Sequence, residues 1–155
     1  MTPALRDELR QRKPFRSLEQ EAHLNLVRTA ALLTDAFEQM LKPAGITGAQ
    51  YNVLRILRGA EPGGLCRNEL RDRMLTRMPD MTRLLDRMEA AGLVTRERDG
   101  DDRRLVTARI TARGRRILDD LDAEVLKEHR RRLGHLDAGQ LRALIEALTL
   151  VRQPD

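Results

Sequence analysis

Between Ser17 and Lys42 the apolar residues Leu26, Ala30, Leu33, Phe37 and Met40 stand four, three, four and three apart. This is the stripe of a helix that packs along another helix. Ser17 with Gln20 is a capping-box pattern at its start, and Pro43 and Gly45 end it. Thr47 with Gln50 repeats the pattern and opens a second helix, with Tyr51, Leu54 and Leu57 on one face, closing near Gly59. Glu61-Pro62-Gly63-Gly64 reads as a turn, Leu65-Cys66 as at most a short strand, and Asn68 to Met74 as a brief helix. The next helix is predicted to begin at Pro79, because proline suits a first helical position, and to stop at Gly92 after Ala91. Within it Met81, Leu85 and Met88 mark a buried face. At about 100° per residue, Thr76, Asp80, Arg83 and Arg87 fall opposite.

The periodicity then changes. Leu93 to Arg98 and Leu105 to Ile110 are β-prone runs on either side of Asp99-Gly100, a hairpin signal. Two short helices followed by a hairpin predict a winged helix-turn-helix. Thr111 caps a further long helix carrying Ile117, Leu118, Leu121, Val125 and Leu126, which fades near Gly134. Asp137 with Gln140 makes a third capping box, before a stripe of Leu141, Leu144, Ile145, Leu148 and Val151. The fold class is therefore mainly α with a small β-hairpin wing, a winged helix-turn-helix flanked by N- and C-terminal helices. The first sixteen residues are charged and read as an arm, in which Thr2-Pro3 could open a short helix.

Composition narrows the chemistry. With no Trp, one Tyr and two Phe in 155 residues, the core rests on aliphatic side chains and Met, and stacking of bases on aromatic platforms is disfavoured. From Arg67 to Arg116 there are fourteen arginines and nine acids, which accounts for the whole formal excess of +5. Such a segment fits a polyanion, although a solvated surface rich in ion pairs has the same composition. Placed on a helix that fits the major groove, Arg83 and Arg87 can read base edges, with Arg77 at the helix entrance. Each could equally meet a phosphate or only solvent. Asp101, Asp102, Arg103 and Arg104 cluster at the hairpin tip. Acids beside phosphates are unfavourable unless paired, so Asp101 is read as holding Arg103 for the minor groove.

Other chemistries find little support. Cys66 is the single cysteine; it excludes an intrachain disulfide, fits a reducing compartment, and is read as a buried structural residue rather than an oxidant sensor. His23, His129 and His135 are scattered, without metal-ligand spacing, and neither a phosphate loop nor a nucleophile with its base is recognisable. No cofactor, metal or enzymatic activity is expected. No apolar run is long enough to span a bilayer, and the reading is a cytoplasmic protein without membrane contact.

The stretches ITGAQYNVLRIL (46 to 57), MTRLLDRMEAAGLVTRERDGDDRR (81 to 104) and ITARG (110 to 114) together resemble the MarR family of bacterial transcriptional regulators, over residues 17 to 152. Carried over position by position, the resemblance puts recognition-helix roles on Asp80, Thr82, Arg83 and Arg87, and wing roles on Asp101 and Arg103. Thr76, Arg77 and Arg104 complete the expected DNA-binding set. Met78 and Pro79 depart from the Ser-rich approach to this helix in many members. The resemblance implies a homodimer with interlocking first and last helices, most often a repressor. It also implies control by a small-molecule effector in the cleft between the dimer helices and the winged domain. Urate is disfavoured, because the tryptophan of urate-responsive members is missing.

The chain accordingly divides into an arm (1–16), an N-terminal dimerisation helix (17–46), a winged DNA-binding domain (47–110) and C-terminal dimerisation helices (111–155). The apolar stripes of the flanks exceed what one small winged domain can bury. A dimer interface through Leu118, Leu121, Val125, Leu141, Leu144, Ile145 and Leu148 is their natural use. Two such domains would meet successive major grooves about 10 bp apart, so the operator is expected to be pseudo-palindromic double-stranded DNA. The competing reading is a winged-helix protein-interaction module without sequence-specific DNA binding. It leaves the arginines unexplained.

Overall fold

The computed structural model describes residues 4–98 and 105–153. The chain forms two compact units, Met1–Gln39 and Met40–Asp155. In the first, the short helix α1 (Leu5–Glu8) buries Leu5, so the predicted arm carries its own anchor. Helix α2 (Leu18–Leu41) runs on into the second unit. Its start departs slightly from the expected box. Ser17 Oγ accepts from the Gln20 N–H at 3.2 Å, but Gln20 Oε1 accepts from the N–H of Arg16, at 2.7 Å, rather than that of Ser17. A 3-10 turn, Lys42–Ala44, then ends at Gly45, whose φ is 72°.

The second unit begins with α3 (Gly48–Gly59), opened by a complete capping box in which Thr47 Oγ1 and Gln50 Oε1 each accept the other residue's backbone N–H. Val53, Leu54 and Leu57 turn fully inward. Strand β1 (Leu65–Cys66), α4 (Arg67–Arg73), α5 (Met81–Ala90), and the hairpin strands β2 (Val94–Arg98) and β3 (Val106–Ile110) follow. The two expected β-prone runs pair antiparallel, Arg98 opposite Val106. Asp99 and Gly100 themselves lie outside the described residues. β1 does more than the sequence pattern suggests. It pairs antiparallel with β3, Leu65 opposite Ala108, to give a three-stranded sheet in the order β1-β3-β2.

Two helices complete the unit. α6 (Ala112–Leu133) packs on α3, and α7 (Ala138–Val151) opens on a full capping box between Asp137 and Gln140. Packing explains the sequence ITARG at the start of α6. Ile110 is buried at the end of β3. Thr111 Oγ1 accepts from the Gly114 N–H at 3.0 Å and lies within hydrogen-bonding distance of the carbonyls of Gly92, at 2.7 Å, and Leu93, at 3.0 Å. Gly114 is required by close approach, since a Cβ there would lie 2.5 Å from the Leu93 carbonyl oxygen and 3.0 Å from side-chain carbons of Ile110 and Leu54. The end of α5, the start of β2 and the start of α6 thus meet at one small, close-packed joint.

Candidate nucleic-acid interface

Helix α5 begins two residues later than the proline signal suggests. Asp80 is its N-cap, with a carboxylate oxygen 2.9 Å from the Arg83 N–H, and Pro79 precedes the cap. An aspartate that satisfies an orphan N–H at a helix start is better matched to that site than a proline, which offers no acceptor side chain. The helix ends where expected. Gly92, at φ 72°, follows it, and the Leu93 N–H returns to the Met88 carbonyl at 2.9 Å, a left-handed stop that favours glycine.

Met81, Leu84, Leu85 and Met88 are buried, leaving Thr82, Arg83, Asp86 and Arg87 exposed. Arg83 lies near the centre of the outer face, and Arg87, one turn on, lies to the side of it away from Thr82. Neither is paired with an acid among the described residues, and the same holds for Arg77. Thr76 and Arg77 are exposed but stand before α5, in the connection from α4, so the helical face predicted to include Thr76 does not extend to it. Asp101, Arg103 and Arg104 lie outside the described residues.

Not every central arginine is available to a ligand. Arg96, on β2, reaches back to α5, where its Nη2 lies 2.6 Å from Asp86 and 2.7 Å from Glu89. Its backbone N–H donates to Glu89 as well, at 3.1 Å. Hydrogen bonding from Arg96 holds the Glu89 carboxyl below its ordinary pKa, and hydrogen bonding to Glu89, ahead of that to Asp86, raises the Arg96 guanidinium. Arg109, on β3, is 2.5 Å from Glu97 across the hairpin and donates to the Gly63 carbonyl at 3.3 Å. These two arginines fasten the wing to the helix and to itself. Part of the segment's arginine content is therefore structural.

Beside α5 opens a cleft of about 290 Å³ between α4 and the sheet, lined by Cys66, Arg67, Thr82, Leu85, Arg96 and Val106 among others. Cys66 is half-buried rather than buried, and serves as the N-cap of α4. Its N–H donates to Glu69 Oε2 at 2.8 Å, and its sulfur meets the Glu69 N–H in return. Arg67, exposed on α4, donates from Nη1 to Thr82 Oγ1 at 3.1 Å. No local pattern announces that contact, because its partner is fifteen residues away on another helix.

The expected dimer residues separate into two groups. Leu118, Leu121 and Val125 of α6 are 0%, 8% and 9% exposed within the single chain, so they belong to the protomer's own core. Leu141 and Leu148 of α7 are half-buried, while Leu144 and Ile145 are 39% and 62% exposed. Beyond the predicted set, Leu150 and Val151 are also exposed. Among the described residues no helix is long and apolar enough to cross a membrane.

Comparison with known proteins agrees with this architecture. A family model described as the MarR family matches residues 44–105. The HTH-type transcriptional regulator FarR of Neisseria gonorrhoeae is 30% identical over 112 residues, covering 72% of this chain and 75% of FarR. The crystal structure of a MarR transcription factor from Planctomyces limnophilus shares 39% identity at a TM-score of 0.68, over 88% of this chain and 99% of that one. CouR from Rhodococcus jostii RHA1, solved bound to p-coumaroyl-CoA, shares 26% identity at a TM-score of 0.74, over 91% and 98% of the two chains. With a winged helix-turn-helix whose outer helix presents exposed arginines, and with these relatives, the chain belongs to the MarR family of DNA-binding transcriptional regulators and is not an enzyme.

Proposed function

We propose that the protein is a homodimeric repressor that acts in the cytoplasm on a pseudo-palindromic operator and is released from it by a small-molecule effector. In this reading α5 enters the major groove, Arg83 and Arg87 contact base edges, and Arg77 meets the adjoining backbone. Thr82 acts at the flank of the helix, Asp80 acts through the cap, and Thr76 lies beside the backbone. Asp101, Arg103 and Arg104 carry the wing into the neighbouring minor groove. The observation that carries the reading is the division of labour among the arginines. Arg96 and Arg109 are held by acids, while Arg83 and Arg87 stand exposed on the outer face of α5 with no acidic partner among the described residues. A protein-interaction module would have no use for that division.

Self-association is supported by α7, whose apolar stripe remains largely exposed on the single chain. Effector control is supported by CouR, a relative of the same fold solved with p-coumaroyl-CoA.

The test is fluorescence anisotropy with duplexes from the region upstream of the protein's own gene and with random duplexes, over a salt series. Specific binding is expected, weakening by about 0.9 in log–log slope per neutralised phosphate. Arg83→Ala and Arg87→Ala are each expected to cost about 1–3 kcal/mol on the operator and less on random DNA. Equal losses on both pools would reassign these arginines to the backbone. Absence of binding to either pool at low salt would overturn the proposal.

A further inference from the structure

Arg67 lies on α4, outside the helix and wing that carry the expected contacts, yet it makes a direct hydrogen bond to the recognition helix, Nη1 to Thr82 Oγ1 at 3.1 Å. It is exposed and has no acidic partner within salt-bridge distance among the described residues. A guanidinium carries five N–H donors, and the contact with Thr82 uses one. A hydroxyl has one donor and two acceptor positions, so Thr82, already accepting from Arg67, keeps its own O–H free to donate. The result is two adjacent donor groups, one charged, lining the cleft between α4 and the sheet.

On α5, Thr82 is about 100° around the axis from Arg83. It occupies the flank of the outer face rather than its centre. When a helix lies in the major groove, side chains at the centre meet base edges, and those at the flanks meet the walls of the groove, which are sugar and phosphate. A singly anionic phosphodiester suits a guanidinium and a hydroxyl that converge, because charge-assisted hydrogen bonds to its two free oxygens need two donors at fixed separation.

We infer that Arg67 and Thr82 form a two-donor grip on one backbone phosphate of the duplex, so that α4 supplies a contact that positions the recognition helix without reading sequence. This rests on the reading of α5 as the groove-binding helix. Arg67 supplies the charge and sets the Thr82 hydroxyl as a donor. Thr82 supplies the second hydrogen bond.

The experiment measures anisotropy salt series for the full chain and for Arg67→Gln, Arg67→Lys, Thr82→Val and the Arg67→Gln/Thr82→Val double variant, on the operator and on random duplex. Thermal unfolding by circular dichroism checks that each variant is folded. Arg67→Gln is expected to weaken binding on the order of tenfold on both duplexes and to reduce the salt slope by about 0.9. Arg67→Lys keeps the slope while losing affinity, since charge is retained and the fork is lost. Thr82→Val leaves the slope unchanged, and the double variant loses less than the product of the two single losses, as partners on one phosphate must. An unchanged slope for Arg67→Gln, in a parent protein that binds its operator, overturns this grip alone. A loss confined to the operator overturns the phosphate assignment in favour of base contact. A parent protein that binds neither duplex overturns the grip together with the proposed function.

Discussion

Glycine 114 shows how a single residue type can record tertiary structure. In the sequence it is a small residue inside a helical pattern, which costs about 1 kcal/mol relative to alanine. In the fold, its missing Cβ lets α6 approach to within contact of the Leu93 carbonyl. Gly114→Ala is expected to destabilise by roughly 1–3 kcal/mol through overpacking, although alanine is the better helix former. A melting temperature at or above that of the parent protein would show that the joint can open to make room. Local signals of this kind are uneven. Thr47, Thr111 and Asp137 were legible as caps because a cap and its partner lie within three residues of each other. Asp80 was not read as a cap, because Pro79 beside it suggested the helix start, and only the hydrogen bond to the Arg83 N–H reveals it. Arg67, Arg96 and Arg109 have partners set by the fold, so their roles could not be read from spacing.

At the level of elements, the helices follow the sequence closely and the sheet does not. β1 is two residues long, too short for an alternating pattern, and its pairing with β3 spans more than forty residues. The hairpin's attachment to α5 spans seven to ten residues, across the end of one element and the start of the next, and is electrostatic. Glu89 has its pKa lowered from 4.5 in the folded chain by the hydrogen bond from Arg96. The unfolded chain therefore takes up the proton first as pH falls. The stabilisation is complete above the unfolded value and is lost as pH drops through the depressed folded value. Glu89→Gln is expected to flatten that part of the dependence of melting temperature on pH below 4.5 that belongs to this pair. Parallel curves for the parent and the variant would show that the pair contributes nothing to it. Because both partners are partly exposed, the effect at neutral pH is modest.

For the molecule as a whole, the apolar excess of the C-terminal helices was legible, but its division was not. Periodicity marks an apolar face without saying whether the chain's own core or a second copy covers it. Leu121 is covered within the chain, so a charge there is expected to unfold the protomer and would be a poor probe of assembly. Ile145, 62% exposed on α7, is the better one. Ile145→Glu is expected to give a folded protein with an unchanged circular-dichroism spectrum that sediments as a monomer and binds the operator more weakly. A variant that remains dimeric would place the interface elsewhere.

The joint at Thr111 and Gly114 sets a mechanical ratio. A helix of 22 residues extends about 33 Å at roughly 1.5 Å per residue. A tilt of about 5° at one end therefore carries the other through about 3 Å, close to the roughly 3.4 Å between neighbouring base pairs along a strand. If two such helices are anchored at their distal ends in a dimer, a rotation of that size shifts each reading head by about one step of the DNA ladder, and Leu118, Leu121 and Val125, buried along the same helix, must shift with it. The stiffness of this hinge would then set how finely an effector can detune the protein from its operator.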